Sequence, residues 1–159
     1  LPLGCGYAMA AKLQGDSYRT YVIMGDGEQG EGSLWEAAAF AAHKKLDNLV
    51  AILDENSLQI NGRTCDVCKP TDFEGRYASF GWAVRSVDGN DVGALYDALA
   101  AVPFEAGRPS LIVAKTTKSK GVSFLEDQAK YHHWNPSKED ADRALAELDA
   151  VAAERGWQA

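Results

Sequence analysis

Short, continuous apolar runs alternate with longer segments of helical spacing along this chain. Tyr18 to Met24, Asn48 to Leu53, Trp82 to Val87 and Ser110 to Ala114 read as four strands, the first of them buried with Val22 and Ile23 at its centre. Runs that are apolar at consecutive rather than alternate positions belong to strands covered on both faces. Helical spacing fills the intervals: Tyr7 to Leu13, then Glu31 to Leu46, apolar on most of its sides and therefore buried. A short helix carries Phe73 and Tyr77, another sets Val92, Leu95, Tyr96, Leu99 and Val102 on one face, and a last one carries Ala141, Leu145, Leu148 and Ala152. The boundaries carry their own chemistry. Thr71-x-x-Glu74 and Ser137-x-x-Asp140 read as capping boxes, Asp91 as an N-cap, Pro103 as a stop, and Gly81 and Gly156 as helix ends. Glu31 and Glu36 near the start of the second helix, and Lys44 and Lys45 in its last turn, complement the helix dipole. The alternation predicts an α/β fold, a parallel β-sheet with helices on both faces, in a single domain spanning 1–159.

Two strands end on candidate ligands. Asp26 lies in Gly25-Asp26-Gly27 just after Tyr21-Val22-Ile23-Met24, and Asn56 follows 30 positions later, after Leu49-Val50-Ala51-Ile52-Leu53. In a parallel sheet both residues reach the same edge, where open α/β sheets bind their ligands. A carboxylate and an amide oxygen are hard donors suited to Mg²⁺, which takes six oxygens and usually leaves several to phosphate and water. A backbone carbonyl just beyond Asn56, that of Leu58, would complete a facial set. Gly25 and Gly27 permit a tight turn that brings N–H groups against an anion, and the helix starting near Glu31 adds its positive end. The 22 residues from Lys115 to Pro136 show no periodicity and include Lys118, Lys120, Gly121, His132 and His133. A loop that long within one domain is usually functional, and this one leaves the same sheet edge.

Composition narrows the class. Hydrophobic residues make up 46% and charged residues 25% of 159 positions, the balance of an ordinary globular chain. A net charge of −7 repels a phosphate backbone, so nucleic acid is not an expected partner. No apolar stretch approaches the roughly 20 residues of a membrane span, and no signal peptide is visible, so no membrane association and a cytoplasmic setting are expected. Cys65-x-x-Cys68 would suit a zinc knuckle or a redox pair, but no second pair follows to complete four ligands; two reduced thiols in a surface loop is the simpler reading. The chain opens on Leu1-Pro2-Leu3-Gly4, without methionine, and passes straight into a helix, from which we expect upstream sequence to be missing.

Gly25-Asp26-Gly27, the buried helix and Asn56 resemble the thiamine diphosphate motif. The flanking residues Gly-Asp-Gly-Glu-Gln-Gly-Glu-Gly-Ser-Leu-Trp-Glu-Ala (25–37), Lys45-Leu46-Asp47-Asn48-Leu49 and Lys120-Gly121-Val122-Ser123-Phe124 resemble the transketolase family, and in particular its split form, whose first subunit carries only the diphosphate-binding domain. The resemblance implies a thiamine diphosphate-binding fold of the diphosphate-binding (PP) type, shortened at its amino end. It implies thiamine diphosphate and Mg²⁺ as cofactors, with Ca²⁺ able to substitute, and transfer of a two-carbon ketol unit from a ketose phosphate to an aldose phosphate. The partner it implies is a C-terminal subunit carrying the pyrimidine-binding domain and its catalytic glutamate, with two copies of each subunit. This chain would then be inactive alone.

Position by position, the resemblance gives Asp26, Asn56 and the Leu58 carbonyl to the metal, and Gly25, Gly27 and Glu28 to the diphosphate. Glu31 and Glu36 match acidic positions at the subunit interface near the cofactor, Glu31 with a catalytic role, although simple helix-start charge explains them as well. His132 matches a loop histidine that reaches the diphosphate and the donor sugar. The family usually has glycine after that histidine, whereas His133 follows here, so either imidazole is open as the inward one. Alternatives are another thiamine-dependent transferase, of the 1-deoxyxylulose-5-phosphate synthase kind, a transketolase for a specialised sugar, and a non-catalytic scaffold subunit that keeps the fold.

Overall fold

Strand alternation dictates which layer each helix joins. The computed structural model describes residues 1–68 and 72–157, over which the chain forms six strands. These are β1 (Thr20–Gly25), β2 (Leu49–Glu55), β3 (Leu58–Gln59), β4 (Gly62–Arg63), β5 (Ala83–Asp88) and β6 (Ser110–Lys115). The four longer ones pair in parallel in the order β1-β2-β6-β5, and β3 and β4 form a small antiparallel hairpin of their own. The helices are α1 (Pro2–Gln14), α2 (Gly32–His43), α3 (Thr64–Val67), α4 (Phe73–Ser79), α5 (Val92–Ala100) and α6 (Lys138–Glu154).

The core has two unequal layers. On one face Met24, Leu49, Ala51, Leu53, Leu111 and Val113 pack against α1, α2 and α4, with Tyr77 and Trp82 fully buried among them. On the other, Val50 and Ile112 meet Ala98 of α5 and Val102 just beyond it. The sheet therefore has helices on both faces, as the pattern predicts. Its first strand departs from expectation: Ile23 is 76% exposed and Tyr21 is exposed beside it. Odd and even positions of a strand point to opposite faces, and α5 lies at the far side of the sheet, against β5 and the inner strands, so the second face of the edge strand β1 stays open.

The second helix also ends earlier than its pattern suggests. It stops at His43, with Lys44 as its cap and Lys45 in left-handed backbone at φ +51°. Lys45 N–H donates to the Ala42 carbonyl and Leu46 N–H to that of Ala41, the paired bonds of a Schellman ending. Leu46 is thereby folded back into the core, fully buried, though it lies outside the helix. The apolar stripe of α6 buries no side chain. That helix instead leans on the loop before it, where Ser123 donates to Glu147 and Gly121 faces Leu148. Its capping box is present as read. Thr71 of the other box lies outside the described residues, and Asp72 caps α4 by accepting from the Gly75 N–H. Neither the hairpin, nor α3, nor the 3-10 turn Gly27–Gly30 shows in the hydrophobic pattern.

Candidate functional site

Register brings the two motif residues together. Gly25 of β1 pairs with Asp54 of β2, and Asp54 pairs with Ala114 of β6, so three strands finish level. Asp26 leaves β1 immediately and donates its N–H to the Asp54 carbonyl at 3.2 Å. Its side chain is 2% exposed, and its Oδ2 accepts the N–H of Ser57 at 2.6 Å, the residue between Asn56 and Leu58. Ser57 sits at φ +61°, a turn held in the left-handed region by that carboxylate. Burial pushes the Asp26 carboxyl above the ordinary carboxylate value, against the pull of the Ser57 and Gly27 N–H groups. A buried carboxylate partnered by neutral N–H groups is one whose charge calls for a counter-ion.

Asn56, opposite, is equally constrained. The Asn56 amide donates through Nδ2 to Asp54 Oδ2 at 2.9 Å and accepts through Oδ1 from the Leu58 N–H at 3.0 Å. Leu58 opens the hairpin, is buried, and pairs with Arg63. The Arg63 guanidinium in turn forks onto Asp127, at 2.8 and 2.5 Å, and so ties the hairpin to the long loop after β6.

A cleft of about 480 Å³ opens above these strand ends. Gly25, Asp26, Gly27 and Glu28 form one wall, and Asn56 and Leu58 another. Lys118 and His132 close it from the loop. Of the two imidazoles only His132 lines the cleft. It is half-buried, its Nδ1 buried with no hydrogen-bond partner, while His133 is exposed and stands edge-on at 4.7 Å. Desolvation, with the neighbouring Lys118 and His133, holds the His132 imidazole below its usual value and so favours the neutral ring. The cleft thus joins hard oxygens on one side to an ammonium and an orphaned imidazole nitrogen on the other, a donor set that fits a divalent cation carrying a diphosphate.

The turn bearing Asp26 is braced from beneath. Gln29 is buried, donates through Nε2 to the Gly25 carbonyl at 3.1 Å, and accepts the Tyr77 hydroxyl on Oε1 at 2.9 Å. The Trp35 indole N–H donates to the Gln29 carbonyl at 3.0 Å. Gly27 packs directly on the hairpin, where an added Cβ would lie 2.8 Å from Gln59 Cβ.

Glu31 is not brought into this site. It precedes α2 as its N-cap, exposed and without a side-chain cap bond, outside the cleft lining, and Glu36 is exposed on the same helix. No motif in the sequence gives a role to Asp54, Thr116 or Lys118. The first is visible in the Asp-Glu-Asn ending of β2 and the last in the loop, but nothing local marks the contact of Thr116 with Asp54. Cys65 and Cys68 are free and exposed, and among the described residues no group of three His, Cys, Asp or Glu side chains is placed to hold a metal.

Known proteins resemble this chain in sequence and fold. Residues 7–153 match the family model described as transketolase, thiamine diphosphate binding domain. One of the subunits of apulose-4-phosphate transketolase from Phocaeicola vulgatus is 44% identical over 148 residues, covering 93% of this chain and 53% of that protein. The 6-deoxy-6-sulfo-D-fructose transketolase subunit SqwG of a Clostridium species is 36% identical, covering 93% and 54%. The chain thus spans about half the length of these relatives. The crystal structure of transketolase from Campylobacter jejuni superposes with a TM-score of 0.85 at 31% identity, over 92% of this chain and 24% of that one. With the family model matching nearly its whole length and the fold agreeing, this chain belongs to the transketolase family, through its thiamine diphosphate-binding domain.

Proposed function

We propose that this chain is the diphosphate-binding part of a two-subunit transketolase. It works in the cytosol on sugar phosphates. A partner subunit supplies the pyrimidine-binding domain, and the assembly holds two copies of each. The observation that carries the reading is the convergence of Asp26 and Asn56 at one cleft, joined through the Ser57 N–H. In this reading Asp26, Asn56 and the Leu58 carbonyl hold Mg²⁺, for which Ca²⁺ can substitute. The N–H groups of Gly27 and Glu28, the Lys118 ammonium and His132 hold the diphosphate. Bound there, thiamine diphosphate would supply the nucleophilic carbon that takes up and hands on a two-carbon ketol unit.

The rest follows from this chain's own groups. The neutral His132 imidazole can accept or donate a proton to a phosphate or a donor-sugar hydroxyl entering the cleft. The Arg63–Asp127 fork keeps the loop that carries Lys118 and His132 against the hairpin. Glu31 stands outside the cleft of this chain, and its catalytic role in this reading is at the interface with the partner subunit, near the cofactor. The single-domain reading of residues 1–159 is part of the same proposal.

Two relatives are named for apulose 4-phosphate and for 6-deoxy-6-sulfo-D-fructose, which supports the alternative of a specialised ketose donor. Co-expression with the neighbouring reading frame, then a ketol-transfer assay over a panel of ketose donors, tests the activity. Titration of thiamine diphosphate in a calorimeter, with and without Mg²⁺, tests the site. Saturable, metal-dependent binding that Asp26→Ala abolishes is the expected result. Unchanged affinity in Asp26→Ala would overturn the assignment, and no binding at all would favour a scaffold subunit.

A further inference from the structure

An amide is nearly symmetric in shape and opposite in chemistry at its two ends. A metal ligand must present oxygen, so something has to hold Asn56 against a half-turn about its last bond. Asp54 is the group in place to do it. Its carboxylate accepts only, and the Asn56 amide meets it with Nδ2 at 2.9 Å, which turns Oδ1 away from Asp54 and toward the Leu58 N–H. The other carboxylate oxygen, Oδ1, accepts the hydroxyl of Thr116, the first residue past β6. Thr116 has little freedom of its own. Its N–H donates to the Glu55 carbonyl at 3.1 Å, and its methyl faces Gly89, where an added Cβ would lie 2.4 Å from Thr116 Cγ2. The chain of contacts therefore runs from the end of β6, through the end of β2, to the cleft.

We infer that Asp54 and Thr116 are positioning residues that set the orientation of Asn56 as a metal ligand, a role that rests on the magnesium reading above. Asp54 fixes which end of the amide faces the cation, and Thr116 fixes the carboxylate that does so. Partners of this kind, one bond removed from a metal, typically govern affinity by about 10- to 100-fold.

The test uses the full protein with its partner subunit, titrating Mg²⁺ into a solution containing thiamine diphosphate and reading heat rather than turnover. Asp54→Asn keeps the shape and loses the acceptor-only character, and should weaken Mg²⁺ binding about 10- to 100-fold. Thr116→Val should weaken it about fivefold, the equivalent of one hydrogen bond, and Thr116→Ser should restore wild-type affinity. The thermal midpoint of the metal-free protein separates positioning from bulk stability. A merely structural role would lower that midpoint and leave the affinity of the folded fraction unchanged. Wild-type Mg²⁺ affinity in Asp54→Asn overturns the inference; should that variant not fold, wild-type affinity in Thr116→Val does so. Loss of binding in Asp26→Ala alone, with both Asp54 and Thr116 variants unaffected, leaves the metal site standing and sinks only the relay. Absence of Mg²⁺-dependent binding in the wild type sinks both.

Discussion

Replacing Tyr77 with phenylalanine removes one oxygen atom and leaves the ring that packs on Trp35 and Trp82, at centroid distances of 5.2 and 5.3 Å, in place. That oxygen is the hydrogen-bond partner of Gln29 Oε1 in a site closed to water, since Tyr77 is fully buried and Gln29 nearly so. Burial pushes the phenol well above its usual value, so it remains a donor at any working pH. Tyr77→Phe therefore loses a bond and strands an acceptor. Together these should cost about 1–3 kcal/mol, the penalty for leaving a buried polar group unpaired. For a chain of this size the thermal midpoint should fall by about 2–10 °C. Guanidinium unfolding of wild type, Tyr77→Phe, Gln29→Met and the double variant forms a cycle with a coupling of about 1–2 kcal/mol, because the second substitution removes the group the first one strands. Gln29→Met alone should also weaken thiamine diphosphate binding, since it frees the Gly25 carbonyl at the turn that carries Asp26. A Tyr77→Phe variant within about 0.5 kcal/mol of wild type would show that the bond beneath the turn contributes nothing, and the reasoning would fail.

Other outcomes follow from the same structure. Gly27→Ala should force the hairpin bearing Leu58 away from the turn, because the new Cβ meets Gln59 Cβ at 2.8 Å; overpacking of this kind costs about 1–3 kcal/mol, read as weaker cofactor binding by calorimetry. His132→Ala should lower turnover about 100-fold with little change in thermal midpoint, and His133→Ala should leave turnover intact; the reverse pattern would make His133 the inward ring. Asp47 is raised by burial but held, on balance, below its ordinary value of 3.8 by Lys12 at 2.6 Å and the Gly107 N–H at 2.8 Å. A carboxylate lowered on folding stabilises above its unfolded value and loses that contribution as pH falls through its folded one. Asp47→Asn should accordingly be less stable than wild type by about 1 kcal/mol at pH 6. The gap should narrow below about pH 4 in acid unfolding followed by circular dichroism, and a gap unchanged down to pH 3 would contradict the ion pair.

The local code of this chain is written in short-range contacts, and those were legible. Apolar runs placed the four long strands, Ser137 and Asp140 capped α6 as their spacing requires, and Asp91 accepts from Gly93 and Ala94 at the start of α5. The Asp26 and Asn56 motifs were readable for the same reason: each lies one step past a run whose end the pattern marks. What no pattern along the chain could supply is which strands become neighbours. β6, last in sequence, is inserted between β2 and β5, and only that insertion sets Thr116 against Asp54 and carries the loop with Lys118 and His132 over the cleft. The same insertion, with α5 lying over β5 and the inner strands at the far side of the sheet, leaves Ile23 in the open on an edge strand whose composition promised burial. Side-chain periodicity and capping arise within a few residues. Strand order, the exposure of β1 and the choice of His132 over His133 come from packing between segments far apart in sequence, where total burial, not local preference, decides.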